Sequence, residues 1–154
     1  MLATALAIAG TLLGAIVSGL FQQASAQRTH NGARVDQARR DAVDAVTSLA
    51  TTISDHRRAM WMRADARFTG ATEDRVQELR DASHLTRSAV TRPHIALRLH
   101  ITNQAVRDAA DAMVTATYAI RDADTIDALA QARTTAIDAH DQFINTAARY
   151  LETR

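Results

Sequence analysis

Imidazoles are the side chains best suited to hold a metal or move a proton near neutral pH, and this chain has six: His30, His56, His84, His94, His100 and His140. Their spacing does not build a metal centre. No two stand at i, i+4, which would set both rings on one helical face, and there is no His-Glu-x-x-His. Asp81 and His84 form one i, i+3 pair. A di-iron bundle needs two Glu-x-x-His pairs and further glutamates, whereas only Glu73, Glu78 and Glu152 occur. Cysteine is absent, which removes thiolate ligands, thiol nucleophiles and disulfides. No metal and no cofactor is expected.

His56 and His140 stand apart because both fall on apolar helical stripes, with Asp55, Asp138 and Asp141 beside them. If they met across a helical core, the core would respond to pH. A buried histidine satisfied by a single hydrogen bond is the plainer and preferred reading. Nucleophilic catalysis finds no foothold. The serines lie in alanine-rich stretches without a Gly-x-Ser-x-Gly elbow, and no glycine-rich loop follows a strand to cradle phosphate. No catalytic residue is assigned, and the chain reads as something other than an enzyme.

Asp55-His56-Arg57-Arg58 with Trp61 is the most chemically varied local group. Its two guanidiniums could grip a phosphate or a carboxylate. The preferred alternative pairs them with neighbouring acids while Trp61 covers one end of a core. The wider charge pattern is uneven although the formal net charge is only +1. No acid occurs between Ala82 and Arg107, where Arg87, Arg92, Arg98, Arg107, His94 and His100 stand. From Asp108 to Asp141 seven aspartates face only Arg121 and Arg133. Mutual neutralisation of the two regions is the simplest account. The sharper one has this segment, with Arg87, Arg92 and Arg98, touching anionic lipid headgroups or nucleic acid as an unspecific electrostatic patch. No specific nucleic-acid partner is expected, because a net charge this small supplies no steering field.

The elements that would position these groups are helices. Apolar residues make up 47% of the chain but aromatics only 4%, so alanine supplies much of the apolar content, and alanine favours helices in close contact. Five glycines and one proline leave few turns for a β-rich fold. The expected fold is all-α: an N-terminal transmembrane helix over 1–21, a polar junction over 22–34, and an up-and-down bundle of about four helices over 35–154.

Residues 1–21, MLATALAIAGTLLGAIVSGLF, carry no charged side chain. At about 1.5 Å per residue they reach about 30 Å, the thickness of a bilayer's hydrocarbon core. A signal peptide cleaved after Ala24-Ser25-Ala26 is the rival reading, weakened because no Lys or Arg precedes the apolar run. Arg28, Arg34, Arg39 and Arg40 follow the span. The positive-inside rule therefore puts the body in the cytoplasm and the N-terminus outside, a single-pass cell-membrane protein. Ala3, Ala7, Gly10, Gly14 and Ser18 line one face of the span and include a GxxxG, which suits self-association of two copies.

Beyond the span, Asn31-Gly32 is the best break signal, although the junction could also continue the first helix. A stripe of Ala42, Val46, Leu49, Ile53, His56 and Met60 predicts a helix ending near Phe68, with Gly70 as its cap. Thr72 followed by Glu73 and Asp74 predicts the next start, with Val76, Leu79, Ser83, Thr86 and Val90 inward and a stop before Pro93. Residues 94–101 fit either a strand or a helix. Helix is favoured, with Ile95, Leu99, Thr102 and Val106 on a stripe continuing to Met113, Thr117 and Ile120. Asp124 or Thr125 would cap a last helix that buries Ile126, Leu129, Ile137, His140, Ile144, Ala147 and Leu151, with Phe143 and Tyr150 beside them.

Three stretches carry a resemblance: ALAIAGTLLGAIVSGLFQQ at 5–23, SDHRRAMW at Ser54–Trp61 and MVTATYAIRDA at Met113–Ala123. With them the chain resembles small uncharacterised actinobacterial membrane proteins of Streptomyces type, encoded on chromosomes and linear plasmids. All 18 basic residues are arginine, as the codon bias of such a GC-rich genome would produce. The resemblance brings no catalytic residue. Its plasmid association implies a role near conjugative spread or another mobile-element function at the membrane.

The expected function is thus a non-enzymatic, membrane-anchored helical interaction or scaffold protein. It would contact membrane lipid, form a homo-oligomer through the span, and offer its bundle to a cytoplasmic protein partner. A pore-forming or membrane-permeabilising component of a phage or plasmid system is one alternative. An exported helical bundle released by signal cleavage is another.

Overall fold

The computed structural model describes the backbone of residues 2–153 and the side chains of residues 32–153. Four α-helices carry the chain: α1 Leu2–Phe68, α2 Glu73–His100, α3 Gln104–Ala119 and α4 Ile126–Glu152, with a 3₁₀ turn at Ile120–Asp122. No strand occurs among the described residues, so 94–101 is not a β-segment. By internal contacts the chain falls into two units, residues 1–38 and residues 39–154. The first is the opening part of α1. Among the described residues no helix is long and apolar enough to cross a membrane. The expected span at 1–21, with Ala3, Ala7, Gly10, Gly14 and Ser18, lies outside the residues whose side chains are described.

α1 does not break at Asn31-Gly32. A glycine costs a helix only about 1 kcal/mol relative to alanine, and the residues that follow are mostly good helix formers. A side chain at Gly32 would meet nothing within 4 Å, so no turn or close approach requires glycine there. The helix ends at Phe68, where Gly70 has φ +69°, a conformation in which a Cβ would crowd the backbone. The Ala71 N–H donates to the Ala66 carbonyl at 3.0 Å, closing a Schellman turn.

Side-chain oxygens start the next three helices. Thr72 Oγ1 accepts from the Arg75 N–H, Asn103 Oδ1 from the Val106 N–H at 3.1 Å, and Thr125 Oγ1 from the Ala128 N–H at 3.1 Å. Thr125 rather than Asp124 is therefore the cap of α4. α2 does not stop before Pro93 but runs on to His100. Pro93 lies on the buried stripe Val90–Pro93–Leu97, and burying that face outweighs the local proline penalty. The stripe through Ile95 and Leu99 is also corrected: these are 54% and 75% exposed, whereas Leu97 and Ile101 are fully buried. Nor does that helix continue to Ile120, because Ile101 leaves helical geometry and Asn103 starts a new one.

Within residues 39–154 the buried side chains form two clusters. The larger takes Val46, Leu49 and Ile53 from α1, Val90 and Leu97 from α2, Val106 and Met113 from α3, and Phe143 and Ala147 from α4. The smaller consists of Met60, Ala64, Ile120, Ala123, Leu129 and Ala136, with Trp61 and Phe68 packed against it. On α4 the expected face is rotated. Leu129, Ala136, Phe143 and Ala147 are buried, Ile137, His140, Ile144 and Leu151 are half-buried, and Ile126 is exposed.

Candidate functional site

His56 sits on the α1 stripe and is 1% exposed. The Thr86 hydroxyl lies within reach of the Ala82 and Ser83 carbonyls at 3.2 and 3.1 Å and is 2.9 Å from His56 Nδ1. Because the hydroxyl has a single proton to give to a carbonyl, this network assigns the imidazole proton to Nδ1, donating to Thr86 Oγ1. The Tyr118 ring meets the imidazole edge-on, with centroids 5.3 Å apart and planes at 84°. Arg87 lies 4.6 Å from the centre of that tyrosine ring. Burial, and then the Arg87 charge, push the His56 pKa down to about 4. The imidazole is therefore a neutral bridge from α1 to α2.

His140 has different partners. Its Nε2 lies 3.4 Å from Ser54 Oγ, and its Nδ1 lies 3.3 Å from the Asp141 carboxylate. The alternative in which the two histidines meet is thus corrected: they are placed in separate polar networks.

Arg57 extends the second network, its Nη2 donating to Ser54 Oγ at 3.5 Å. Its Nη1 is buried with no hydrogen-bond partner. Burial lowers the Arg57 pKa, Asp141 acts in the opposite direction, and Arg133 lowers it further, yet a guanidinium keeps its charge at any physiological pH. Ser54, Asp55, Arg57, Arg58 and Trp61 from α1 and Arg133 and Ile137 from α4 line a hollow of about 330 Å³. A second hollow, of about 340 Å³, shares Trp61, Arg133 and Ile137 and continues along Ile126, Leu129 and Ala130. The Arg133 guanidinium carbon lies 5.1 Å from the centre of a Trp61 ring, a cation–π contact across the helices. Of the chemically varied group at 55–61, Asp55, Arg57, Arg58 and Trp61 line a cavity completed by a residue far along the chain, while His56 bonds to Thr86 instead. Sequence reasoning missed Arg133; its standing as one of two cations in an aspartate-rich stretch was the available signal.

A second arginine group is internally satisfied. Arg63 donates to Ser83 Oγ at 3.3 Å and Arg67 to the Ala123 carbonyl at 3.1 Å. Burial, then Arg80 and Arg67, lower the Arg63 pKa. The basic candidates on α2 are not gathered into one site. Arg87 covers Tyr118, Arg98 lies 3.8 Å from Asp111, and Arg92 is exposed. His94 also reaches Asp111, at 2.7 Å, and Arg107 donates to the Ile101 and Arg98 carbonyls. Part of the basic segment thus does meet the acid-rich one. Among the described residues no group of three or more His, Asp or Glu could hold a metal ion.

The family model described as KilB plasmid transfer protein matches residues 43–151, which contain most of the bundle and both hollows. The chain is also 45% identical over 93 residues to Protein KilB of Streptomyces lividans, an alignment covering 60% of this chain and 60% of that relative. No solved structure matches it significantly. With a family match that spans helices α2 to α4 and the bundled half of α1, the chain belongs to the KilB plasmid transfer protein family.

Proposed function

We propose that this protein serves plasmid transfer as a non-enzymatic, membrane-anchored helical interaction protein. The observation that carries the reading is the family match over 43–151, joined to an N-terminal stretch, 1–21, without a charged side chain. A segment of that length and polarity partitions into a bilayer. Arg28, Arg34, Arg39 and Arg40 beyond it favour a cytoplasmic bundle. The small-residue face from Ala3 to Ser18 would let copies associate. Confinement to a membrane raises local concentration, so weak bundle surfaces suffice to hold a protein partner. Arg92, exposed on α2, remains available to an anionic headgroup.

The test is membrane fractionation of the full-length protein, followed by crosslinking in the membranes. The expected result is a protein that stays in the membrane pellet after high-salt and alkaline washes and crosslinks to itself. Recovery of uncleaved protein in the supernatant would overturn the anchor. A mature N-terminus at Gln27 would replace it with the exported bundle, and leakage of dye from vesicles carrying the protein would replace the scaffold with a pore.

A further inference from the structure

We infer that the hollow between α1 and α4 is a binding site for a phosphate group, held by Arg57, Arg58 and Arg133 and reported by Trp61. The inference does not depend on the anchor or the scaffold reading. Its first support is Arg57 Nη1, a buried guanidinium nitrogen facing no acceptor. An ionised donor left without a partner is costly, and proteins seldom leave one so unless something else fills the gap. Its second support is convergence: Arg57 and Arg58 on α1 and Arg133 on α4 line the same hollow of about 330 Å³. Two carboxylates oppose them, Asp55 on the rim and Asp141, whose field reaches Arg57. Both are exposed, as Arg58 and Arg133 are, so water screens all four, whereas Arg57 is half-buried. In the lining itself three guanidiniums stand against Asp55 alone, an excess positive charge over a cavity large enough for a small ligand.

Phosphate fits this arrangement better than a carboxylate does. It carries up to two negative charges and enough oxygens to accept from three guanidiniums at once, where a carboxylate fills one fork. The adjoining hollow, where Ile126, Leu129 and Ala130 stand with Asp65 and Thr134, would receive the body of a phosphate-bearing molecule. Arg63 and Arg67 make the contrast: each donates within the protein, as Arg57 does, but neither has a buried nitrogen without a partner.

Trp61 is the chain's single tryptophan, so its fluorescence reports this site alone. The full-length chain in neutral detergent is titrated with inorganic phosphate, adenosine monophosphate, and vesicles containing phosphatidic acid, at matched ionic strength. A saturable change with phosphate is expected. A tighter response to the nucleotide would identify a soluble ester as the ligand, and a tighter response to the vesicles a lipid headgroup. Arg58→Gln and Arg133→Gln, read by calorimetry because Arg133 touches the reporter, should each weaken binding about tenfold with helix content unchanged. Arg57→Lys, which keeps the charge but loses the fork, should weaken it as much. Silence towards all three probes would overturn the inference. So would an equal response to acetate, or undiminished affinity in the arginine variants.

Discussion

The two ends of the bundle are built to different specifications. Around Phe143 the core interlocks large apolar side chains from all four helices, among them Leu49, Ile53, Leu97, Ile101 and Met113, each fully buried. Around Met60 the core is smaller, half of it alanine, and arginines surround it. Alanine buries little area, so this end gains less from the hydrophobic effect, and hollows open beside it. The lesson is a division of labour: one end holds the helices together and the other presents chemistry.

The largest test of that contrast is Phe143→Ala. It should cost about 3–5 kcal/mol in denaturant unfolding, because a fully buried aromatic leaves a cavity that four helices cannot collapse around. Leu129→Ala in the smaller core should cost less, about 2 kcal/mol. Equal losses would erase the distinction between the ends.

His56 offers the next test. It is neutral in the folded protein with a pKa near 4, while an unfolded histidine titrates near 6.5. Between those values the unfolded chain binds more protons, so stability rises with pH across the window and is lost as pH falls through it. At about 1.4 kcal/mol per unit, the loss from pH 7 to pH 4 should be about 2–3 kcal/mol. Comparing unfolding of the native chain with that of His56→Gln isolates this part from the carboxylates. A variant with the same slope would remove His56 as its source.

Smaller effects belong to the arginine-rich end. Gly70→Ala should destabilise by about 1 kcal/mol by forcing a Cβ into the left-handed region at the close of α1, seen as a lower midpoint with unchanged denaturant slope. Arg133→Gln should shift stability by only about 0.5 kcal/mol, the worth of an exposed cation–π contact, while weakening phosphate binding about tenfold. A stability loss several times larger would mean that Arg133 is structural and that the two ends do not differ in kind.

Legibility in the sequence follows the size of the side chains. On α1 the stripe Ala42, Val46, Leu49, Ile53, His56 and Met60 is buried as read, because large apolar residues recur there at clean helical spacing. On α4 Leu129 and Ala147 are buried as read but the rest of the face is rotated, since Ala136 marks its centre and an alanine is equally at home inside or outside a helix. The boundary at 101–103 was missed because Ile101 and Val106 are apolar on either side of it and Asn103 is a single polar residue with a local task. Part of the hollow was legible, Asp55, Arg57, Arg58 and Trp61. The rest was not, because Arg133 is near Arg57 only through the packing of α4 on α1.

By itself, then, the amino-acid order determined an all-helical chain, its Thr72 and Gly70 boundaries, an uncharged opening segment and the inward face of α1. These follow from local propensity, capping chemistry and periodicity, which act over a few residues. Tertiary packing alone decided that α2 passes through Pro93, that His56 and His140 enter separate networks, and that Arg133 completes a cavity. Each of these depends on which helix lies alongside, and burial against a neighbour outweighs one residue's local preference, a fraction of a kilocalorie for most residues and about 3 kcal/mol for a proline.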